Sequence, residues 1–384
     1  MRILTLRTDG LVLPAIHASM VRAFQTFKVE TLDIPIPQSE EEFHSLKSMG
    51  RQGFQAIFTL DLGKDPNFIF RLRDLQESIR IPWIIWFVDD PEGYGFPESC
   101  DPEWTIAFCW DREITQEVSL KPSGKENPLI HLPLASDPEV FFAEEIPSIL
   151  LFPGGVFVGS TAQTNEILEK AIRTTPGFFE DLEPLWGLYR TDLKRSPQTI
   201  AWMYLMEKTG LRLDGIQADP LCRLWVHAAV HLLGIWKRRE LVSRLIGQGG
   251  GIFGDTEWAH TIGALYQGQI TYGEELRRVY NHSAFVLDIR QPQARTGLTQ
   301  RIFDASACSR PVLTEYSPEL EILFEPEDEL SFFANSEQAL ELKKNLLRHP
   351  EESNRKAMHA KNKVLSHHTY QHRAKQILQV LKQR

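Results

Sequence analysis

An α/β protein with two parallel-sheet domains is the fold class this sequence predicts. Three observations carry that expectation: the chain's length, a rhythm of short apolar runs separated by amphipathic stretches, and the restart of that rhythm near residue 154. At 384 residues the chain exceeds one ordinary core, so two domains are expected. Hydrophobic residues make up 42% and charged residues 24%, a balance that supports globular cores rather than disorder.

The first half reads as strand–helix–strand units around a parallel sheet. RILTL (Arg2–Leu6), AIFTL (Ala56–Leu60), WIIWFV (Trp83–Val88) and TIAFCW (Thr105–Trp110) are expected as buried strands. SEEEFHSLKSMG and FIFRLRDLQESIR, between them, are expected as helices; acidic residues crowd the first turn of the former, where they complement the helix dipole, and Gly50 can end it. LIHLPLASDP (Leu129–Pro138) is a last strand leading into a linker, because Pro133, Pro138 and Pro147 discourage helix. The first domain is therefore assigned to 1–145 and the second to 146–366. GGVFVGS (Gly154–Ser160) opens the second domain as an apolar strand that ends in Gly-Ser. Residues 171–245 read as mostly helical and too long for one crossover, which predicts a helical insertion. Strands resume with GIFG (Gly251–Gly254), QITY (Gln269–Tyr272), AFVLDI (Ala284–Ile289) and RPVLTE (Arg310–Glu315), and a helix over Thr369–Arg384 lies in a third segment, 367–384.

A formal net charge of -9 repels phosphate polymers, so nucleic acid is not an expected partner. The longest apolar run, Ile81–Val88, falls far short of the roughly 20 residues that cross a bilayer, so no membrane span is expected. MRILTL is cut off by Arg7 and Asp9 before a signal-type apolar region forms, and reads as a strand. Cys100, Cys109, Cys222 and Cys308 are widely spaced without a CxxC, which argues against a disulfide framework or zinc site and fits a reducing cytoplasm. Nothing in the sequence sets an oligomeric state.

In doubly wound sheets ligands bind beyond the carboxyl ends of the strands. Gly159 and Ser160 end the second domain's first strand, where a backbone N–H can approach a phosphate, or where a tight turn simply needs glycine. Gly254 and Asp255 end another; they face a base or ribose, or Asp255 caps a helix. The run GQGGG (Gly247–Gly251) precedes a strand, whereas a phosphate cradle follows one, so it reads as a turn. Further along, a loop with Gly297 leads into a helix expected to begin near Leu298, whose dipole and free N–H groups suit an anion. Arg301 can fork onto a diphosphate and Asp304, one turn later, can accept from ribose hydroxyls; an ordinary surface Arg–Asp pair is the alternative. His227 and His231 share a helix face, as do His368 and His372, but apolar or solvated helix packing explains both pairs without a metal.

GLTQRIFDASACSRPVLT (Gly297–Thr314) resembles the pattern G-x-x-x-R-x-F-E-A-x-A-x-G-x-P-x-x-T of the group-1 glycosyltransferases of the spore-maturation CgeB type. Gly268–Arg290 upstream, and downstream ELEILFEPEDELSFFANSEQALELKKNLLRHPEE from Glu319 and HHTYQHRAKQIL from His367, extend the similarity. Trp86–Pro91 and His131–Phe141 carry it loosely into the first half. The resemblance implies a GT-B architecture: two facing Rossmann-like domains, a sugar-nucleotide donor in the C-terminal one, the acceptor against the N-terminal one, no metal or other cofactor, and a final helix returning to the first domain. With the donor in the C-terminal domain, the candidate donor residues are Gly159, Ser160, Gly254, Asp255, Tyr272, Thr296, Gly297, Leu298, Thr299, Arg301 and Asp304, with Arg301 expected to meet the charge of the departing diphosphate. Asp304 stands where the family has Glu, Ser309 where it has Gly, and Thr296 where many retaining relatives have a first Glu. A general base, where one is needed, comes from Asp9, His17, Asp89 or Asp90, with Asp9 best placed; Asp9 reads more readily still as a turn residue paired with Gly10, and Asp89–Asp90 as easily as a turn before Pro91. The acceptor, a glycan, protein or small molecule, is not legible. An epimerase of the same architecture and a non-catalytic binding module remain the alternatives.

Overall fold

The computed structural model describes residues 1–63, 65–121, 123–145, 149–161, 169, 173–174 and 178–384. Pro147, the expected boundary at 146, and positions 171–172 and 175–177 of the expected insertion lie outside them. The chain divides into two compact units: Met1–Val140 with Thr296–Phe303 and Lys363–Arg384, and Phe141–Arg295 with Asp304–Asn362.

Among the described residues the first unit holds a six-stranded parallel sheet of β1 (Arg2–Arg7), β2 (Glu30–Pro35), β3 (Ala56–Leu60), β4 (Trp83–Phe87), β5 (Thr105–Cys109) and β6 (Leu129–His131). Its order is β2-β1-β3-β4-β5-β6, so the direction of winding reverses between β1 and β3. The three central strands β3, β4 and β5 are buried at every residue, as expected of parallel strands covered on both faces. The edge strand β2 has no such apolar signature: ETLDIP is largely exposed, and Pro35 ends it. An edge tolerates both features. The helix Leu13–Thr26 starts with Pro14 and buries Ile16, Met20 and Phe24, and the helix Glu40–Gly50 is opened by a capping box between Ser39 and Glu42. The helix Tyr370–Leu381 completes this unit; buried Arg373 donates from Nε to Pro133 O (2.6 Å) and from Nη2 to Leu134 O (2.9 Å).

The second unit holds another six-stranded parallel sheet among its described residues: β7 (Val156–Val158), β8 (Gly251–Phe253), β9 (Tyr266–Gly268), β10 (Val286–Asp288), β11 (Val312–Glu315) and β12 (Ser331–Phe333), in the order β12-β11-β10-β7-β8-β9. Here the winding reverses between β7 and β10. Helices Phe178–Thr191, Pro197–Thr209, Leu213–Ala218 and Pro220–Leu245 fill the long stretch between β7 and β8 and build an apolar core with Phe157, Ile252 and Leu287. GQGGG is the turn between Pro220–Leu245 and β8. One expected strand is displaced: Gln269–Tyr272 is not extended sheet, and β9 lies three residues earlier, because Gly268 at φ +96° turns the chain out of the ladder there. No helix among the described residues is long and apolar enough to cross a membrane.

Candidate active site

At the reversal of the second sheet, the chain leaves β7 through Gly159 and Ser160 and leaves β10 through Ile289 and Arg290. The Arg238 guanidinium, buried and carried by the helix Pro220–Leu245, ties the two exits together, donating from Nη1 to Ser160 O (2.7 Å) and from Nη2 to Ile289 O (3.2 Å). Beyond β8, Gly254 sits at φ +155°, and a Cβ there would lie 2.1 Å from Gly159 O, so only glycine lets these two strand ends meet. Asp255 is committed to the protein: it accepts from Thr161 N (2.6 Å), Thr161 Oγ1 (3.1 Å) and Glu257 N (3.2 Å). These bonds fix the β7 exit, and Thr256, not Asp255, is the N-cap of the helix Glu257–Ile262.

Tyr272 and Asp304, both donor candidates, are brought together. The Tyr272 hydroxyl donates to Asp304 Oδ2 at 2.7 Å, with the Tyr272 ring edge-on to Phe141. Asp304 is buried, so one carboxylate oxygen is already engaged on the protein. Behind β10 and β11 lies an ionic core that the sequence did not suggest. Lys237 Nζ pairs with Glu315 Oε1 (2.8 Å), both side chains buried, and donates to Tyr189 Oη (3.0 Å). Glu315 Oε2 accepts from Arg290 N (2.6 Å), and Arg290 Nη1 donates to Arg295 O (2.7 Å). Burial pushes the Tyr189 phenol above its ordinary range. A buried pair of this kind contributes little net stability but penalises any arrangement that separates its members.

The loop expected to hold a diphosphate is corrected in part. Thr296 and Gly297 group with the first unit, and both amides donate to Asp111 Oδ2, each at 2.8 Å. Asp111 Oδ1 accepts from Thr296 Oγ1 (3.1 Å) and from Ile114 N (3.1 Å), capping the helix Arg112–Leu120. The anion these two amides hold is thus a carboxylate of the protein itself. Gly297 makes the approach possible, since a Cβ would stand 2.5 Å from the Trp110 ring. The helix begins at Gln300, two residues after Leu298, which is buried. Thr299 directly precedes it, and Arg301, half-buried, lies in its first turn, one turn before Asp304.

At the reversal of the first sheet three polar atoms are buried without a hydrogen-bond partner among the described residues: Thr8 Oγ1, His17 Nδ1 and Asp61 Oδ2. Thr8 and Asp61 each stand two residues past the paired Leu6 and Thr59 of β1 and β3. His17, 1% exposed near the start of Leu13–Thr26, bonds through Nε2 to Asp33 Oδ1 (2.7 Å); Asp33 also accepts from Thr5 Oγ1 (2.9 Å) and Arg7 Nη1 (2.5 Å). Burial lowers the His17 pKa, against the opposing pull of Asp33. Asp61 adopts φ +50°, rare for a residue with a Cβ; its Oδ1 accepts from Val88 N (2.8 Å) and Asp89 N (3.3 Å). Burial, then the Asp89 charge, raises its pKa to about 8. Asp9 and Gly10 are exposed in the loop after β1, Asp89 is exposed, and Asp90 caps the turn Pro91–Tyr94 through Glu92 N (3.0 Å). Asp61 and Asp33 were not singled out from sequence. The available signal for Asp61 was a carboxylate closing a wholly apolar strand, AIFTLD; for Asp33, inside an unrecognised edge strand, there was none.

Two doubly wound parallel-sheet units, with their polar groups gathered at the sheet reversals, define the class: the fold is that of the GT-B glycosyltransferases. Residues 230–379 match the glycosyl transferase-like family, so this α/β enzyme is a glycosyltransferase. Solved structures of the same fold include the Anabaena protein HepE in complex with UDP-glucose (9% identity, 100% of each chain covered, TM-score 0.52) and an alpha-glucosyltransferase in complex with UDP (13%, 100% of each chain, 0.55). AviGT4, a glycosyltransferase of avilamycin A biosynthesis, is a third (9%, 100% of this chain and 97% of that one, 0.52). No curated protein matches the chain.

Proposed function

We propose that the second unit binds a nucleoside diphosphate sugar, UDP-linked by analogy with the ligands of HepE and the alpha-glucosyltransferase, and that the first unit presents an acceptor hydroxyl, within a subgroup of the spore-maturation CgeB type that works in a reducing cytoplasm without a metal ion or other cofactor. The cysteines support that compartment: all four are free thiols, three of them buried. The donor is held by Gly159, Ser160 and Gly254 at the strand exits and by Tyr272 with Asp304 at the ribose. Arg301 neutralises the leaving diphosphate. The observation that carries the acceptor side is the His17–Asp33 pair. A carboxylate on Nε2 fixes the tautomer in which Nδ1 is the proton acceptor, and burial keeps the ring neutral. In the transfer, the acceptor oxygen bonds to the anomeric carbon, the bond from that carbon to the diphosphate oxygen breaks with its electron pair leaving on the diphosphate, and the acceptor proton passes to His17 Nδ1. Nδ1 is covered in this conformation, so acceptor binding has to open it. Asp9, exposed at the rim, orients the acceptor rather than deprotonating it.

Calorimetry with UDP, GDP and TDP, with and without chelator, tests the donor side. Saturable UDP binding that survives chelation is expected, and Arg301→Ala should weaken it by about 1.5–3 kcal/mol. Absence of binding by every nucleotide would assign a non-catalytic module. Incubation with UDP-sugars and an acceptor panel should release UDP; an epimeric sugar-nucleotide formed without acceptor would assign an epimerase instead.

A further inference from the structure

One peptide group past β10 is gripped at both of its polar ends. Its carbonyl, Ile289 O, accepts from Arg238 Nη2 (3.2 Å), and its N–H, on Arg290, donates to Glu315 Oε2 (2.6 Å). Both grips trace to neighbouring residues of the helix Pro220–Leu245. Arg238 acts directly, whereas Lys237 steadies Glu315 from its other oxygen, with Nζ 2.8 Å from Oε1 and a further bond to Tyr189 Oη (3.0 Å). Lys237, Arg238, Glu315 and Tyr189 are each no more than 2% exposed, and all belong to the second unit. The restraint continues past the peptide: the Arg290 guanidinium donates from Nη1 to Arg295 O (2.7 Å) and from Nη2 to Tyr316 O (3.0 Å). With Arg238 Nη1 on Ser160 O (2.7 Å), the chain leaving β7 and the chain leaving β10 share one frame.

Burying an ammonium, a guanidinium and a carboxylate to hold one peptide adds little stability, since desolvation offsets most of the attraction. What the arrangement supplies is a fixed peptide plane at the reversal of the second sheet, beside the crevice where ligands of doubly wound folds bind. A freed peptide rotates about its flanking bonds, and a rotation that turns its carbonyl into the crevice sets a partial negative charge against a diphosphate. We propose that Glu315 is a positioning residue for the donor: steadied by Lys237, and together with Arg238, it locks the Ile289–Arg290 peptide in the orientation that admits a nucleoside diphosphate. The inference rests on the reading of the second unit as the donor side.

Calorimetric titration of the full chain with UDP tests it in two double variants, Lys237→Met with Glu315→Leu and Lys237→Met with Glu315→Gln. Neither leaves a member of the ion pair buried and charged without the other, and they differ in whether position 315 still accepts from Arg290 N. The Leu form should bind UDP at least about tenfold more weakly than the unmodified chain, the size expected of one buried hydrogen bond lost, and the Gln form should recover most of that affinity. A packing role alone would move the melting temperature and leave the two folded forms with equal affinity for UDP, a result that overturns the proposal. Where the Leu form does not fold, Arg238→Lys and Arg238→Met put the same question to Ile289 O: Lys keeps a donor and should bind UDP several-fold more tightly than Met, and equal affinities again overturn the proposal. Absence of UDP binding by the unmodified chain would instead remove the donor reading of the second unit, and this inference with it.

Discussion

Asp61 holds a backbone conformation that asparagine and glycine adopt more readily, with one carboxyl oxygen on two amides and the other buried. Its pKa is raised from 3.8 to about 8, so between those values the folded chain binds a proton that the unfolded chain releases. Stability is therefore full below about pH 4 and falls as pH climbs toward 8. Asp61→Asn should remove that slope and raise stability at pH 8 by at least about 1 kcal/mol, measured as melting temperature against pH. His17 has the opposite slope: its lowered pKa means that the unfolded chain takes up the proton first, so its contribution is intact above pH 6.5 and lost as pH falls below it. As a general base, it should keep the acid limb of kcat/KM below pH 6.5, and His17→Gln should cost roughly 10²–10⁴-fold in turnover with UDP affinity retained. A pH profile of UDP release checks both. The sequence offered both Asp9 and His17 and favoured Asp9. What separated them, the Asp33 contact, joins positions 16 residues apart through a strand with no apolar pattern to announce it.

Among the elements, the loop before the helix Gln300–Ala307 shows how a correct motif can carry an unexpected partner. Its glycine, its arginine and its helix were all legible, and the family match spans them; that Asp111 would supply the anion was not, because the two segments are 185 residues apart. Asp111→Ala removes the acceptor of three amides and a hydroxyl, and should lower stability by about 2–4 kcal/mol in thermal melts. If those amides instead served a diphosphate, the same variant would melt almost unchanged and bind UDP more tightly. Every strand buried along its whole length, such as β3 and β4, was read correctly. Those missed or displaced, β2, β9 and β12, are short or edge strands with mixed exposure, where burial imposes little on composition.

For the whole molecule, the parallel order of both sheets followed from alternating apolar and amphipathic segments, but the grouping of Thr296–Phe303 with the first unit did not. The first unit draws on Thr296–Phe303 and Lys363–Arg384. A chain stopped at Asn362 would lose the buried Tyr370, Ile377, Leu378 and Leu381, on the order of 6–12 kcal/mol at about 1.5–3 kcal/mol each. That equals the full stability of an ordinary domain, so the truncated chain should show no cooperative melting of the first unit, with the second unit still giving a transition by calorimetry. The carbonyls of Pro133 and Leu134 wait for the guanidinium of Arg373, some 240 positions later in the chain. During synthesis, then, the half that leaves the ribosome first is finished last: it must stay soluble as an open sheet until the distal helix emerges, and the second unit is free to form in the meantime.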